Sequence, residues 1–194
     1  MYSNLTAIIL RRQDFRDDDL LVTIYSRESG KLTLIARGAK KILSKLAGHL
    51  EPVSLSLLNA ASGKSLDQLT GASQIKSYAH IKNDLNKTSA ATWLLKIIDE
   101  LTLESHEDER IFHLAEKYLD FLEQKEEDYE IAKLAAGFKL LALLGLDPSA
   151  KAELKFRPEI EFIIKNSINK IYKNENIKEN FKSLYKILVN EIEK

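Results

Sequence analysis

Between Ala36 and Pro52 the chain reads Ala-Arg-Gly-Ala-Lys-Lys-Ile-Leu-Ser-Lys-Leu-Ala-Gly-His-Leu-Glu-Pro, with four cations, Arg37, Lys40, Lys41 and Lys45, and no acidic residue before Glu51. Positive charge concentrated in this way suits the binding of phosphates. Arg37, Lys41, Lys45 and His49 recur every fourth residue, and so do Ile42, Leu46 and Leu50. Coiled as a helix, the segment would carry a basic stripe beside an apolar one that anchors it to a core. Gly38 and Gly48 bracket it, so that helix would be short, with a flexible entry and exit. The competing reading is a solvated basic connection, because single-sign surface patches are common. Arg12, Arg27, Lys31 and Lys64, with Arg11, Arg16 and Lys76, lie on neighbouring runs that a small β-barrel would gather. The expected polyanion-binding set is therefore Arg12, Arg27, Lys31, Arg37, Lys40, Lys41, Lys45, His49 and Lys64. Aromatic residues for base stacking are few (Tyr2, Phe15, Tyr25, Tyr78), so phosphate contacts should dominate.

Other chemistries find little support. Gly63-Lys64-Ser65 resembles the tail of a phosphate-binding P-loop, but the earlier glycine is replaced by Leu58 and a strand pattern follows. His106 and His113 are seven residues apart with no acidic partner at a zinc-motif spacing, and read as surface histidines. There is no cysteine nucleophile and no Gly-x-Ser-x-Gly elbow, and Glu104–Glu109 reads as a helix start and solvated linker. Trp93 reads as core. No enzyme is expected, and no cofactor or metal.

The elements that must position the basic residues change character once. Leu5–Arg12, Leu20–Arg27 and Leu32–Arg37 are short β-rich runs; Leu20, Val22 and Ile24 alternate with Leu21, Thr23 and Tyr25. Glu28-Ser29-Gly30-Lys31 is a tight-turn signal. Val53–Leu58 and Leu66–Ile75 supply two more strands, the last bent near Gly71. Five strands with a helix between the third and fourth is the order of an OB-fold barrel, although periodicity alone also fits an SH3-like barrel or a small sandwich. From about Tyr78 the period becomes helical. Ser89 can cap a helix carrying Leu94, Ile97, Ile98 and Leu101, and two more follow through Ile111–Leu122 and Ile131–Leu141, the latter stopped by Gly145 and Asp147-Pro148. Pro158 opens a stripe through Ile171, and Ile177–Leu188 forms the last. The expectation is an α+β chain in two domains: residues 1–78, a five-stranded OB-fold β-barrel, and residues 79–194, an all-α helical bundle.

Composition agrees with an ordinary globular protein, 44% hydrophobic and 30% charged over 194 residues. The net charge of zero hides a balance of +5 over residues 1–83, −8 over 84–149 and +3 over 150–194. This suggests a basic functional face ahead of an acidic middle. With zero cysteines the chain has no disulfide and no thiolate metal ligand, which fits a reducing compartment. The longest apolar runs, such as Leu140–Leu146, fall short of a membrane span, and Ala7–Leu10 ahead of Arg11 and Arg12 does not read as a signal peptide.

Ala36–Lys41, followed by Lys45-Leu46-Ala47-Gly48-His49-Leu50-Glu51-Pro52, resembles the hallmark of the RecO family of bacterial recombination mediators. Asp19–Lys31, Leu69-Thr70-Gly71-Ala72, Asp99-Glu100-Leu101-Thr102, Glu107–Phe112 and Phe138–Pro148 continue the likeness in the family's order, over residues 1 to about 148. The resemblance implies an N-terminal OB-fold and a helical C-terminal domain. It also implies binding of single- and double-stranded DNA, annealing of complementary strands, and work with RecR to load RecA onto DNA coated by single-stranded DNA-binding protein. By the same resemblance the helical domain docks that protein's acidic, Phe-ending tail, for which Arg110, Lys117, Lys133 and Lys139 are the cations suited to the rim. Many members carry a four-cysteine zinc module after the Gly-x-x-Pro turn; here residues 149–160 form a short cysteine-free bridge, and the expectation is a C-terminal region trimmed relative to the family. The alternative function is an adaptor whose OB domain binds a protein and whose helical domain binds an acidic tail peptide. An RNA-binding OB protein is a third.

Overall fold

The computed structural model describes residues 2–44, 46–63, 65–125 and 129–193. Contacts gather the chain into two compact units, 1–123 and 124–194. The change of period at Tyr78 marks the end of the sheet, whereas the division by contacts falls after the third helix.

In the first unit, β1 (Tyr2–Phe15), β2 (Asp19–Ser26), β3 (Gly30–Ala36), β4 (Leu55–Ala61) and β5 (Gln68–Lys76) close a barrel in the order β1-β2-β3-β5-β4, with β4 returning to β1. This is the OB-fold order. At 14 residues β1 is long enough to pair with β4 through Tyr2–Ile8 and with β2 through Ala7–Phe15, and a register shift between Ile9 and Arg11 lets it serve both. Closure is narrow: β3 meets β5 in parallel at Ile35 and Gln68, supported by the Ile35 amide donating to the Asp67 carbonyl at 2.9 Å.

The alternation seen in the sequence sets the interior. Leu5, Ala7 and Ile9 of β1, Leu20, Val22 and Ile24 of β2, Leu34 and Ala36 of β3, and Leu69 of β5 fill it. In β4 the inward face is Ser56, Leu58 and Ala60, so Leu55 and Leu57 point outward; the buried Ser56 hydroxyl is satisfied by donating to the His49 carbonyl at 2.9 Å. Gly30, at φ +66°, makes the β2–β3 turn with its α-carbon so close to the chain at His106 that a Cβ would stand 2.0 Å from that carbonyl oxygen. Irregularity in β5 falls beside Gly71, where the register shifts against Asn59 and Ala60.

Between β3 and β4 the expected α-helix does not form. Residues 37–43 make turns and a bend, and only Ala47–His49 coils, as a short 3-10 turn. Gly38 adopts φ +64°, and cations four apart repel along a helix, so the stripe of Arg37, Lys41 and His49 has no helical support. Ile42 is wholly exposed, while Leu46 packs against the core and Leu50 is buried, so only part of the apolar stripe anchors the segment.

Helices α1 (Ala79–Lys82), α2 (Leu85–Leu101) and α3 (Glu109–Gln124) follow. The cap of α2 is Asp84, whose carboxylate accepts from the Lys87 amide at 2.9 Å, one turn ahead of the Ser89 expected. Leu94, Leu95, Ile97 and Ile98 of α2 are buried, as are Ile111, Phe112, Ala115, Tyr118 and Leu122 of α3. Trp93 is half-buried rather than core and lines a shallow depression of about 340 Å³ with Leu10, Arg11, Thr92 and Lys96.

The second unit holds α4 (Tyr129–Leu143), α5 (Pro148–Lys151), α6 (Arg157–Lys165), α7 (Ile168–Tyr172), α8 (Glu175–Glu179) and α9 (Phe181–Ile192). Leu134, Phe138 and Leu141 of α4 are buried with Ile160, Ile163, Ile171, Ile177, Leu184 and Leu188. Gly145 at φ +76° follows the end of α4, and Asp147 caps α5 through the Ser149 amide. The stripe that opens at Pro158 is two helices, α6 and α7, separated at Asn166 and Ser167. No helix among the described residues is long and apolar enough to cross a membrane.

Candidate functional site

The register fixes which cations can act together. Phe15 pairs with Asp19, and Leu20 with Ala36, so the β1–β2 turn and the segment leaving β3 share one end of the barrel. Arg37, Lys40 and Lys41 follow β3 at that end, whereas Arg12 lies further back on β1 opposite Val22, and His49 gives its carbonyl to Ser56, opposite Ala7 of β1. Arg27 and Lys31 flank the β2–β3 turn, where Ser26 pairs with Gly30 at the opposite end. Six residues of β2 at about 3.3 Å each separate the two groups by about 20 Å. Lys45 and Lys64 lie outside the described residues.

At the first end the basic segment rests on an acidic neighbour. The Lys40 ammonium lies 3.2 Å from Asp14 and the Lys41 ammonium 3.7 Å from Asp18. The backbone is tied as well, the Lys40 amide donating to the Asp18 carbonyl at 2.9 Å and the Gly38 amide to the Asp19 carboxylate at 2.8 Å. Ala39 is buried in the barrel core. Arg12 pairs with Glu51 at 2.6 Å. Arg37 is exposed and has no ion pair among the described residues. Nearby, burial holds the Lys82 ammonium below its ordinary pKa, with Arg12 adding to that and Glu51 opposing it. His49 gives its carbonyl to Ser56, and its Nδ1 is buried without a hydrogen-bond partner. The sequence gives no sign of these pairings, because no periodicity signals which segment the acidic residues Asp14, Asp18 and Asp19 will touch.

Other front-half cations hold helices to the barrel. Arg11 binds Asp99 at 2.6 Å, and Lys31, only 12% exposed, reaches the same carboxylate at 3.6 Å while donating to the Asp99 carbonyl near the end of α2. Lys76 contacts Glu116 at 3.2 Å and Asp120 at 2.9 Å on α3; burial pulls its pKa down, and those two hydrogen-bonded carboxylates more than offset it. The charge asymmetry between residues 1–83 and 84–149 is thus partly internal complementarity. Arg27 reaches Thr6 and Glu28, each at 3.4 Å.

The four cations expected at a docking rim divide between the units. Arg110 and Lys117 are on α3; Lys133 and Lys139 are on α4. Arg110 grips Asp108 through Nε and Nη2 at 2.9 and 2.8 Å, and these bonds hold that carboxyl below its ordinary value. Lys117 is exposed, with no ion pair among the described residues. Lys133 pairs with Glu130 at 2.9 Å and lies over the Tyr185 ring, and Lys139 donates to the Ile164 carbonyl at 2.9 Å. Among the described residues no group of histidines and carboxylates is arranged to hold a metal ion.

What the first end offers is a cation-bearing loop tethered to an OB barrel, with Arg37 exposed and, among the described residues, without an ion pair, and Lys40 and Lys41 held by exposed carboxylates. Comparison with known proteins points the same way. The family description of the recombination protein O N terminal matches residues 1–78, and that of its C terminal matches residues 82–157. The DNA repair protein RecO of Gloeobacter violaceus is 33% identical over 144 residues, covering 74% of this chain and 55% of the relative. That of a Nostoc species is 34% identical over 150 residues (75% and 51%), and that of Symbiobacterium thermophilum 30% over 149 residues (77% and 59%). The chain spans between half and three-fifths of the length of these relatives.

Proposed function

The chain belongs to the RecO family, and from that premise we propose that it is a non-catalytic DNA-binding protein of recombinational repair, acting at the nucleoid of the bacterial cytoplasm. The observation that carries the proposal is the loop at the β1–β2 end of the barrel, where Arg37, Lys40 and Lys41 project from a backbone tied to Asp18 and Asp19. Phosphates of a strand would take Arg37 directly and replace the carboxylates of Asp14 and Asp18 on the two lysines. Holding two complementary strands on one protein lowers the entropic cost of their meeting, and neutralising phosphates removes their repulsion, which is the physical basis for annealing.

The same premise extends to partners. The proposed assembly includes RecR, and its product is RecA loaded on DNA that single-stranded DNA-binding protein had covered. An acidic tail of the latter would meet the helical part of the chain, where Lys117, alone of the four cations expected at the rim, is exposed with no ion pair among the described residues. One observation favours the adaptor reading instead: Lys40 and Lys41 already carry carboxylates, as a loop serving a protein partner would.

Equilibrium binding of a fluorescent single-stranded oligonucleotide across a salt series separates the two. The expected result is a log-log slope of several phosphates at about −0.7 each, flattened in an Arg37→Ala/Lys40→Ala/Lys41→Ala/Lys45→Ala variant. A folded variant with unchanged affinity and slope would refute the DNA reading, and tight binding of an acidic tail peptide without DNA binding would establish the adaptor.

A further inference from the structure

Two aliphatic residues crown the basic loop. Ile42 is 102% exposed and Leu43 is 92% exposed, beside Arg37, Lys40 and Lys41. They occupy the two corners of a tight turn, closed by the Ser44 amide donating to the Lys41 carbonyl at 2.9 Å. Turn corners favour Gly, Asn, Asp or Pro, and a β-branched residue there has neither local conformational benefit nor burial to explain it. The turn is also held in place. Ala39 is buried three residues before Ile42, Leu46 packs on the core three residues after Leu43, and the Lys40 amide bonds to Asp18.

We infer that Ile42 and Leu43 form an apolar knuckle that lies against the bases of an unpaired strand whose phosphates the neighbouring cations hold. The inference rests on the DNA-binding reading of this loop and adds a preference to it. Charge complementarity selects the occupant: the ligand must bring anionic groups to Arg37, Lys40 and Lys41 and an apolar surface to the corner between them. An unpaired strand has both, because its base faces are open. A duplex keeps those faces stacked inside, so it offers the loop phosphates alone. With few aromatic side chains on the barrel, aliphatic contact takes the role that stacking has elsewhere. Because the turn is preformed, little ordering cost opposes the contact.

The test is the double variant Ile42→Ser/Leu43→Ser, whose positions touch no core and whose fold should be intact by circular dichroism. Three ligands of equal phosphate number are compared: an oligothymidylate, an abasic strand and a blunt duplex. The expected result is about a tenfold loss for oligothymidylate, equivalent to about 1.4 kcal/mol, with the abasic strand, the duplex and the salt slope unchanged. Equal affinity of wild type and variant for oligothymidylate overturns the inference, and so does an equal loss on all three ligands. Vesicles of phosphatidylserine and phosphatidylcholine form the fourth arm. If the variant loses vesicle binding and keeps strand binding, the knuckle serves a lipid surface and the inference falls. Wild type that binds none of the nucleic acids in a salt-dependent way sinks the parent reading, whereas salt-dependent binding indifferent to the substitution sinks only the knuckle.

Discussion

Neutralising Asp14 and Asp18 together is expected to strengthen single-strand binding. Both carboxylates compete with phosphate for Lys40 and Lys41, across 3.2 and 3.7 Å. Their side chains are 79% and 53% exposed, so the pairs sit in high dielectric and each contributes about 0.2–1 kcal/mol. Releasing both lysines without breaking any bond therefore adds about 0.4–2 kcal/mol to binding, or about 2- to 30-fold in affinity. Asn at both positions keeps the volume and leaves the Asp18 carbonyl to the Lys40 amide, and Asp19 is left alone because its carboxylate holds the Gly38 amide. Stability of the Asp14→Asn/Asp18→Asn variant by urea titration should change by less than about 1 kcal/mol. The assay is fluorescence anisotropy of a labelled oligonucleotide from low to high salt. The gain should be largest at low salt and shrink as the Debye length falls to a few ångströms. Affinity that is unchanged or weaker at low salt, in a variant of normal stability, refutes the competition and with it the placement of phosphates at these lysines.

Three further outcomes follow from contacts elsewhere in the first unit. Gly30→Ala should destabilise by at least about 2 kcal/mol in urea titration, since alanine there meets both a left-handed φ and the His106 carbonyl, whereas Gly48→Ala, with open space around it, should be near neutral. Lys31→Ala should cost about 1–3 kcal/mol by leaving part of the Asp99 carboxylate and the end of α2 unpaired, yet shift oligonucleotide affinity less than about twofold; a large affinity loss at normal stability would show that Lys31 meets DNA. The pH dependence has two limbs. Tyr25 is buried and donates to the Asp108 carbonyl, and burial, with the Asp108 charge, pushes its phenol up to about 12 from 10.0. A phenol raised on folding stabilises fully below pH 10 and loses that contribution as pH rises toward 12, so Tyr25→Phe should flatten the alkaline limb. Asp108 is held below 3.8 by Arg110, so it stabilises above that value and the contribution disappears as pH falls through the depressed pKa; Asp108→Asn should weaken the acid limb. Thermal unfolding across pH measures both.

The sequence alone showed five short strands ahead of a helical half, while periodicity left an SH3-like barrel or a small sandwich open beside the OB barrel that the family resemblance implied and the strand pairing closed. Alternation in β2 set Leu20, Val22 and Ile24 on one face, which closure of the barrel turned inward, and Gly30 and Gly145 marked their turns, because period and positive φ are properties of a few consecutive residues. It also picked out the Ala36–Pro52 segment, since clustered charge is visible without a fold. Helix starts were less legible: Asp84 took the cap expected at Ser89, because both side chains are competent caps and local sequence does not rank them. The nature of the site belonged to tertiary structure. A stripe of cations every fourth residue promised a helix, but like charges and Gly38 at φ +64° do not sustain one, and the segment instead ties itself to Asp14, Asp18 and Asp19 at the β1–β2 end of the barrel. Arg11, Lys31 and Lys76 look like Arg37 in a sequence, yet they hold α2 and α3 against the barrel while Arg37 stays in solvent. Ile42 and Leu43 differ from Leu46 and Leu50 only in where the chain turns. Residue type states what a side chain can bind; which partner it meets depends on contacts between residues distant in sequence, and those exist only once the chain has closed on itself.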